Sequence, residues 1–232
     1  MNISLDGFYQ SLFSEGQWRN YLEGLKITLL ISFIACLMGI VIGLVISLIK
    51  YKYQEDKKEN DLRIAIKFLN ALASFYTTVI RGTPVLLQLL ILYAVALNGG
   101  LEAAIIGFGI NSGAYVSEII RGGLASVDEG QKEAGRSLGL SSNQTMWLII
   151  VPQVFKNIVP ALFNEFISLI KETSVAGSIA VVEITKVAER YKGKTYLVEP
   201  LFIAAFMYLI LVVGLTQIQE RLEMRLARSD RS

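Results

Sequence analysis

The sequence predicts an all-α integral membrane protein with about five transmembrane helices, and three observations carry that expectation. Of its 232 residues 53% are hydrophobic, and a mean hydropathy of +0.50 is too apolar for an ordinary soluble domain. Several apolar runs reach the roughly 20 residues a helix needs to cross about 30 Å of hydrocarbon. Between two of them stands a polar interlude, residues 130–152, GQKEAGRSLGLSSNQTMWLIIVP, where a membrane-embedded chain can meet a soluble one. The whole chain, 1–232, reads as a single membrane domain.

The elements follow in order. The start, MNISLDGFYQSLFSEGQW, lacks the basic opening and small-residue cleavage site of a signal peptide, so the first apolar segment is expected to be retained. Residues 25–48 form the first span, with Lys26 placed to snorkel. KYKYQEDKKENDLR, residues 50–63, is too charged for lipid and reads as a solvated loop. The segment 64–97 exceeds the length of one span, and Arg81-Gly82-Thr83-Pro84 breaks it. It reads as an amphipathic or interfacial first half, a bend and then the crossing, with one long kinked helix as the alternative. Asn98-Gly99-Gly100 makes a short turn.

The third span covers 101–124, where Gly107, Gly109, Gly113 and Ala114 permit close helix contact. In the interlude, Glu133, Ala134, Leu138 and Trp147 lie among good helix formers, Gly139 interrupts them, and Ser141 with Gln144 has capping-box spacing. Two short helices joined by a glycine bend are expected. Residues 154–176 and 197–218 form the fourth and fifth spans. Between them, 181–194 carries Glu183, Lys186, Glu189, Arg190, Lys192 and Lys194 and reads as an extramembrane segment with a short surface helix. Trp18 and Trp147 suit interfacial anchors.

Charge placement sets the orientation. Lys50, Lys52, Lys57, Lys58, Arg63 and Lys67 cluster on one side of the first span, and with five spans the tail Arg221, Arg225, Arg228 and Arg231 shares that side. By the positive-inside rule both face the cytoplasm with the interlude, and the N-terminus lies outside. The four basic residues of 181–194 run against this bias.

Composition also excludes classes of chemistry. With no histidine, His-type zinc sites, Ser-His-Asp triads, His proton shuttles and H-E-x-x-H metalloenzymes are ruled out. The lone Cys36 can form no internal disulfide, and a net charge of +2 gives no general attraction for nucleic acid. No G-x-x-x-x-G-K-[ST] phosphate loop is present, so no cofactor is expected on this chain.

Glu133-Ala134-Gly135, then Gly139, then Ile149-Ile150-Val151-Pro152 resembles the EAA loop of ABC importer permeases, with Gly135 and Val151 as small or apolar departures. Further stretches, in order, resemble the permeases that import polar amino acids: Arg81-Gly82-Thr83-Pro84 with Gln88, Ser112-Gly113-Ala114-Tyr115, Ser117-Glu118-Ile119-Ile120-Arg121-Gly122-Gly123, and Asn164-Glu165-Phe166-Ile167-Ser168-Leu169-Ile170-Lys171-Glu172-Thr173-Ser174. They cover most of 79–185. The loop at 54–63 is long and the turn at 98–100 short for that family.

The resemblance implies a type I importer permease in the bacterial cytoplasmic (inner) membrane, multi-pass, with a cytoplasmic coupling loop at about 126–152. It implies a second permease subunit, identical or paralogous, an ABC ATPase dimer that binds ATP and Mg in the cytosol, and an extracellular or periplasmic amino-acid-binding protein. Surrounding lipid completes the list of partners, with no nucleic acid. Glu133, Ala134, Gly135, Leu138 and Gly139 then form the ATPase-coupling lever, Glu133 as a hydrogen-bonding anchor, Ala134 and Gly135 as a close-contact face and Gly139 as the bend. Arg81, Gly82 and Pro84 shape a bend, where Arg81 needs a carbonyl, a carboxylate or water.

In the fourth span Glu165, Ser168 and Glu172 share one helix face, and Asn164, Ser168 and Lys171 an adjoining one. They read either as a translocation path that meets the charges of an amino acid, or as an internal salt-bridge network or subunit seam. Glu118 and Arg121 form a local pair or an ATPase-facing contact. Rival functions are an ion-gradient-driven secondary transporter, which calls for internal repeats and broken half-helices, a membrane enzyme built on Ser168 and Lys171, and a non-catalytic scaffold.

Overall fold

A computed structural model describes residues 3–58, 63–97 and 99–228, and all regular structure among them is helical. Residues 59–62 of the expected loop, Asn98 of the expected turn and Arg231 of the tail lie outside the described residues. The helices are α1 (Leu5–Phe13), α2 (Gln17–Lys58), α3 (Ile64–Gly82), α4 (Val85–Val95), α5 (Gly100–Ala125), α6 (Glu129–Ser137), α7 (Ser142–Thr145), α8 (Val151–Glu172), α9 (Ile184–Thr195) and α10 (Glu199–Arg228). Among the described residues four helical stretches are long and apolar enough to span a membrane, and the bent pair α3 and α4 meets the same requirement only when the two are taken together, which gives four to five spans.

The heart of the fold is the parallel pair α2 and α5, which approach through glycines. A Cβ on Gly39 would fall 2.6 Å from Ser112 Oγ, one on Gly43 2.8 Å from the Ser117 backbone nitrogen, and one on Gly113 2.6 Å from Ile42 Cγ2. Without a solvent-driven hydrophobic effect in lipid, such close dispersion contact holds helices together. Around it Ile31, Ala35, Leu89, Phe108, Leu169 and Ile179 form a core shared by α2, α4, α5, α8 and the turn after α8. Phe33, Leu37 and Val41 on α2, and Phe202, Phe206 and Ile210 on α10, are exposed. This outward apolar band suits lipid.

The two ends of the bundle differ. At one end Tyr51 of α2 meets Lys132 of α6, whose ammonium lies 5.9 Å from the ring centroid. Glu223 and Leu226 of α10 line a cavity of about 650 Å³ there with Glu118, Gly122 and Asn157. At the other end the Ser4 backbone N–H donates to Glu199 Oε1 (3.0 Å), the Tyr191 hydroxyl donates to the Gln10 carbonyl (3.0 Å), and Gly100 packs against Ile179.

Four sequence expectations are corrected. First, the charged stretch after the first span is no loop as far as it is described, because α2 continues through Lys58. Lys, Gln and Glu are good helix formers, and Lys52 pairs with Asp56 one turn on at 2.7 Å. Second, the break at Thr83 and Pro84 is present, with a 107° bend, but α4 is about 16 Å long and cannot make the crossing alone. Only together with α3 does it reach the length and apolarity of a span. Third, the second short helix of the interlude is not separate: α7 passes through a π-helical turn, Met146–Ile150, into α8. Fourth, the 181–194 helix is more than a surface element, since Ile184, Val187, Ala188 and Tyr191 of α9 are buried.

Candidate functional site

Polar and charged side chains gather in three clusters, the first at the end of the bundle where α6 lies. Asp128 caps α6, its carboxylate accepting the Gly130 N–H at 2.6 Å. At the other end Gly139, at φ +82°, donates to the Arg136 carbonyl at 2.9 Å, and Leu140 donates to the Gly135 carbonyl at 3.1 Å. These paired bonds around a left-handed glycine make a Schellman motif. Ser141 then opens α7 with the expected capping box: the Gln144 N–H donates to Ser141 Oγ at 3.3 Å and the Ser141 N–H to Gln144 Oε1 at 2.9 Å. The glycine bend is therefore where the sequence put it.

Gly135 is buried, and a Cβ there would fall 2.7 Å from Thr145 Cγ2. Its smallness closes α6 onto α7 within the chain. Glu133, Ala134 and Leu138 are exposed, Leu138 at 80%. The loop is seated on a small apolar core of Val127, Ile150 and Val154. It offers a stiff, capped helix with two apolar side chains, Ala134 and Leu138, outward.

The second cluster is the bend. Pro84 has no N–H, so the Ile80 carbonyl one turn earlier loses its helical partner. The Gln88 side-chain amide supplies it, donating to Ile80 O at 2.8 Å and to Thr83 O at 3.0 Å, while Asn111 of α5 donates to Gln88 Oε1 at 3.0 Å. Beside it Glu118 of α5 receives three cations. Arg121 donates at 2.7 Å and Lys50 of α2 at 3.1 Å, and Arg81 stands 3.8 Å away. The Lys50 ammonium also donates to Thr77 Oγ1 of α3 at 3.1 Å. The Arg81 guanidinium lies 5.5 Å from the Tyr115 ring centroid. Arg81 has thus found its carboxylate, and the expected pair of Glu118 and Arg121 is one part of a larger cluster. The sequence analysis had Lys50 only in the basic cluster that sets orientation and Gln88 only in a motif, and it gave neither a partner.

The third cluster lies midway along α5 and about two-thirds of the way along α8. Ser112 Oγ donates to Glu165 Oε1 at 2.8 Å, a bond between two spans. Ser168 and Glu172 are half-buried, whereas Asn164 and Lys171 are exposed. Among the described residues no salt bridge joins Lys171 to Glu165 or Glu172. Among the described residues, Glu165 alone of the five fourth-span candidates is tied to another helix by a side-chain bond. Ser112 was visible in a motif but was not paired with Glu165 by the sequence.

Outside the membrane-spanning segments, Glu183 caps α9. Its carboxylate accepts the Thr185 and Lys186 N–H groups at 2.7 Å each and the Tyr208 hydroxyl at 2.8 Å. Burial pushes this carboxyl up from its ordinary value, and the Thr185 N–H, Tyr208 hydroxyl and Lys186 N–H offset part of that rise.

Comparison with known proteins agrees with this architecture. A family profile described as the inner membrane component of binding-protein-dependent transport systems matches residues 65–228. The chain is 38% identical over 216 residues to the arginine transport system permease protein ArtQ of Bacillus subtilis (strain 168), covering 90% of this chain and 93% of that protein. It is 40% identical to the putative glutamine transport system permease protein GlnP of Rickettsia bellii (strain RML369-C), covering 88% of this chain and 91% of that one. Among solved structures, the crystal structure of an amino acid ABC transporter with histidines superposes with a TM-score of 0.83 at 35% identity, covering 97% of this chain and 100% of that chain. The all-helical bundle of four to five spans is that of a type I importer permease, and ATP hydrolysis belongs to a separate subunit. The chain belongs to the family of inner membrane components of binding-protein-dependent transport systems, the permease subunits of ABC transporters.

Proposed function

We propose that this permease imports polar amino acids, driven by a cytosolic ATPase dimer coupled through residues 126–152. The capped, exposed α6 carries this reading. Its Schellman and N-cap bonds fix the helix as a lever, and Glu133, Ala134 and Leu138 face away from the rest of the chain. A docked ATPase that moves α6 moves α7, which runs into α8 without a break and so carries the motion toward Glu165. ATP and Mg are bound by the ATPase subunits, a second permease subunit completes the passage, and an amino-acid-binding protein delivers substrate from outside.

The relatives named for arginine and glutamine support polar amino acids as the cargo. Glu165, half-buried about two-thirds of the way along α8 and held by Ser112, is the residue assigned to meet the substrate's ammonium or other cationic group. Asn164, Ser168, Lys171 and Glu172 extend the same path. The orientation has the N-terminus outside and α6 in the cytoplasm of a bacterial cell. In its support, Lys52 and Lys57 on α2 and Arg221 and Arg225 on α10 gather at the α6 end.

The test is copurification followed by reconstitution into liposomes with measurement of uptake and ATP hydrolysis. The expected result is an ATPase that copurifies with this chain and hydrolyses ATP faster when binding protein and amino acid are supplied. Uptake by the purified chain alone, driven by an ion gradient, overturns the proposal.

A further inference from the structure

The helix α9 carries cations that the fold does not use. Lys186 pairs with Glu189 at 3.1 Å, but Arg190, Lys192 and Lys194 are exposed and have no ion-pair partner among the described residues. Helix-end electrostatics accounts for a part of this: Lys192 and Lys194 sit in the last turn, where a cation stabilises by about 0.3–1 kcal/mol. It does not call for Arg190. By the charge bias of membrane proteins this end of the bundle should be poor in basic residues, and α9 concentrates them.

The mount of these charges is rigid. Glu183 caps α9, Ile184, Val187 and Ala188 bury its inner face, and the Tyr191 hydroxyl bonds across to the Gln10 carbonyl. The chain leaves the helix through Tyr196 at φ +60°, a left-handed conformation that disfavours a bulky side chain, and this ring is 80% exposed. Beside it lies a hollow of about 580 Å³ lined by Glu189, Lys192, Gly193 and Tyr196. Lys192 and Tyr196 line this hollow beside Glu189, and Arg190 and Lys194 stand exposed on the same rigidly seated helix, so the backbone of this face is organised before its partner arrives.

We infer that the outer face of α9, through Arg190, Lys192, Lys194 and Tyr196, docks an acidic surface of the substrate-binding protein. This rests on the importer reading and its orientation. The family profile's own description makes transport binding-protein-dependent, and the partner must approach at the end opposite α6, where α9 lies. Protein rather than lipid headgroups is favoured because the hollow accepts a protruding side chain and Tyr196 stands at its edge. Exposed charges of this kind act mainly by steering encounter, and their effect falls as salt rises.

The experiment uses the whole importer, copurified with its ATPase, in nanodiscs of neutral phosphatidylcholine. It is titrated with the substrate-loaded binding protein that stimulates wild-type ATP hydrolysis. In a variant combining Arg190→Glu, Lys192→Glu and Lys194→Glu, the concentration for half-maximal stimulation should rise about tenfold or more. The maximum at saturation and ATPase copurification should stay unchanged, and the wild type's weakening with added NaCl should disappear. The charge-preserving variant Arg190→Lys, Lys192→Arg and Lys194→Arg should behave as wild type. An unshifted titration of the reversal variant, or an equal shift in the charge-preserving one, overturns the inference while leaving the importer reading intact. So does a defect seen only when the nanodiscs contain anionic phosphatidylglycerol, which assigns the face to lipid. A wild-type importer that no binding protein stimulates overturns the importer reading as well.

Discussion

The Gln88 amide donates to the Ile80 carbonyl at 2.8 Å, taking the place of the backbone N–H that Pro84 lacks. A proline bend inside a membrane has this cost, since no water is available to the freed carbonyl. Gln88→Leu, similar in size, leaves Ile80 and Thr83 carbonyls unsatisfied and removes the acceptor of Asn111. Interhelical bonds of this kind average about 0.6 kcal/mol and reach about 1.7, so a loss of about 1–2 kcal/mol in unfolding free energy is expected. A reversible unfolding titration in detergent micelles measures it; an unchanged midpoint would show the staple to be idle.

Glu118 is the sole acidic residue in its cluster among the described residues, facing Lys50, Arg81 and Arg121. Glu118→Gln should cost about 1–3 kcal/mol, a range discounted because two of the three cations are half-exposed. Lys50 is the cation with the least exposed side chain, 14%. In the double variant with Lys50→Met the loss should be smaller than the sum of the two single losses. A double-mutant cycle on the same unfolding titration reads this, and strict additivity would deny the pair any coupling.

Gly139 holds φ +82°, a conformation in which a β-branched residue is strained. Gly139→Val should abolish amino acid transport while the protein still inserts and is recovered at normal yield. Glu133→Ala should weaken ATPase attachment or coupling. Normal uptake and normal ATPase recovery for both variants would reduce residues 126–152 to a connector.

For Glu165, replacement by Gln keeps the size and the acceptor for Ser112 while deleting the charge. Uptake of a cationic amino acid should fall more than uptake of a neutral one, because only the former loses an ionic partner beyond its own α-ammonium. Equal uptake of every carried amino acid at equal expression would return Glu165 to a purely structural role.

Orientation is checked with single cysteines in a Cys36→Ser background. An impermeant thiol reagent applied to intact cells should label Lys192→Cys and spare Lys57→Cys. The reverse pattern would invert the topology and, with it, the side assigned to α6.

Much of this architecture was legible in the sequence, and the exceptions have physical causes. Apolar length located the spans, and the punctuation at Pro84, Gly139 and Ser141 located bend, turn and cap, because each rests on a local backbone requirement. The extension of α2 to Lys58 was not legible from polarity, since Lys and Glu form helices well in water. The roles of Lys50 and Gln88 depend on neighbours distant in sequence, Glu118 for one and Asn111 for the other. The burial of α9 was legible in the spacing of Ile184, Val187, Ala188 and Tyr191 at i, i+3, i+4 and i+7, but the six charged residues of 181–194 outweighed that stripe. Of the candidate site, Glu165 could be singled out as an ionisable residue in a span, but Ser112 became its partner only when α5 and α8 met.

The interlocking of α2 and α5 restricts how this protein can move. Val116 and Ser112 fill the spaces that Gly43 and Gly39 leave open, so sliding one helix by a residue along the other would carry them out of those spaces and against the side chains beside the glycines. The two helices therefore travel as one stiff plank. Changes of shape are left to the joints around it: the 107° elbow between α3 and α4, and the contact of α8 with the plank, which Glu165 and Ser112 bridge with one hydrogen bond.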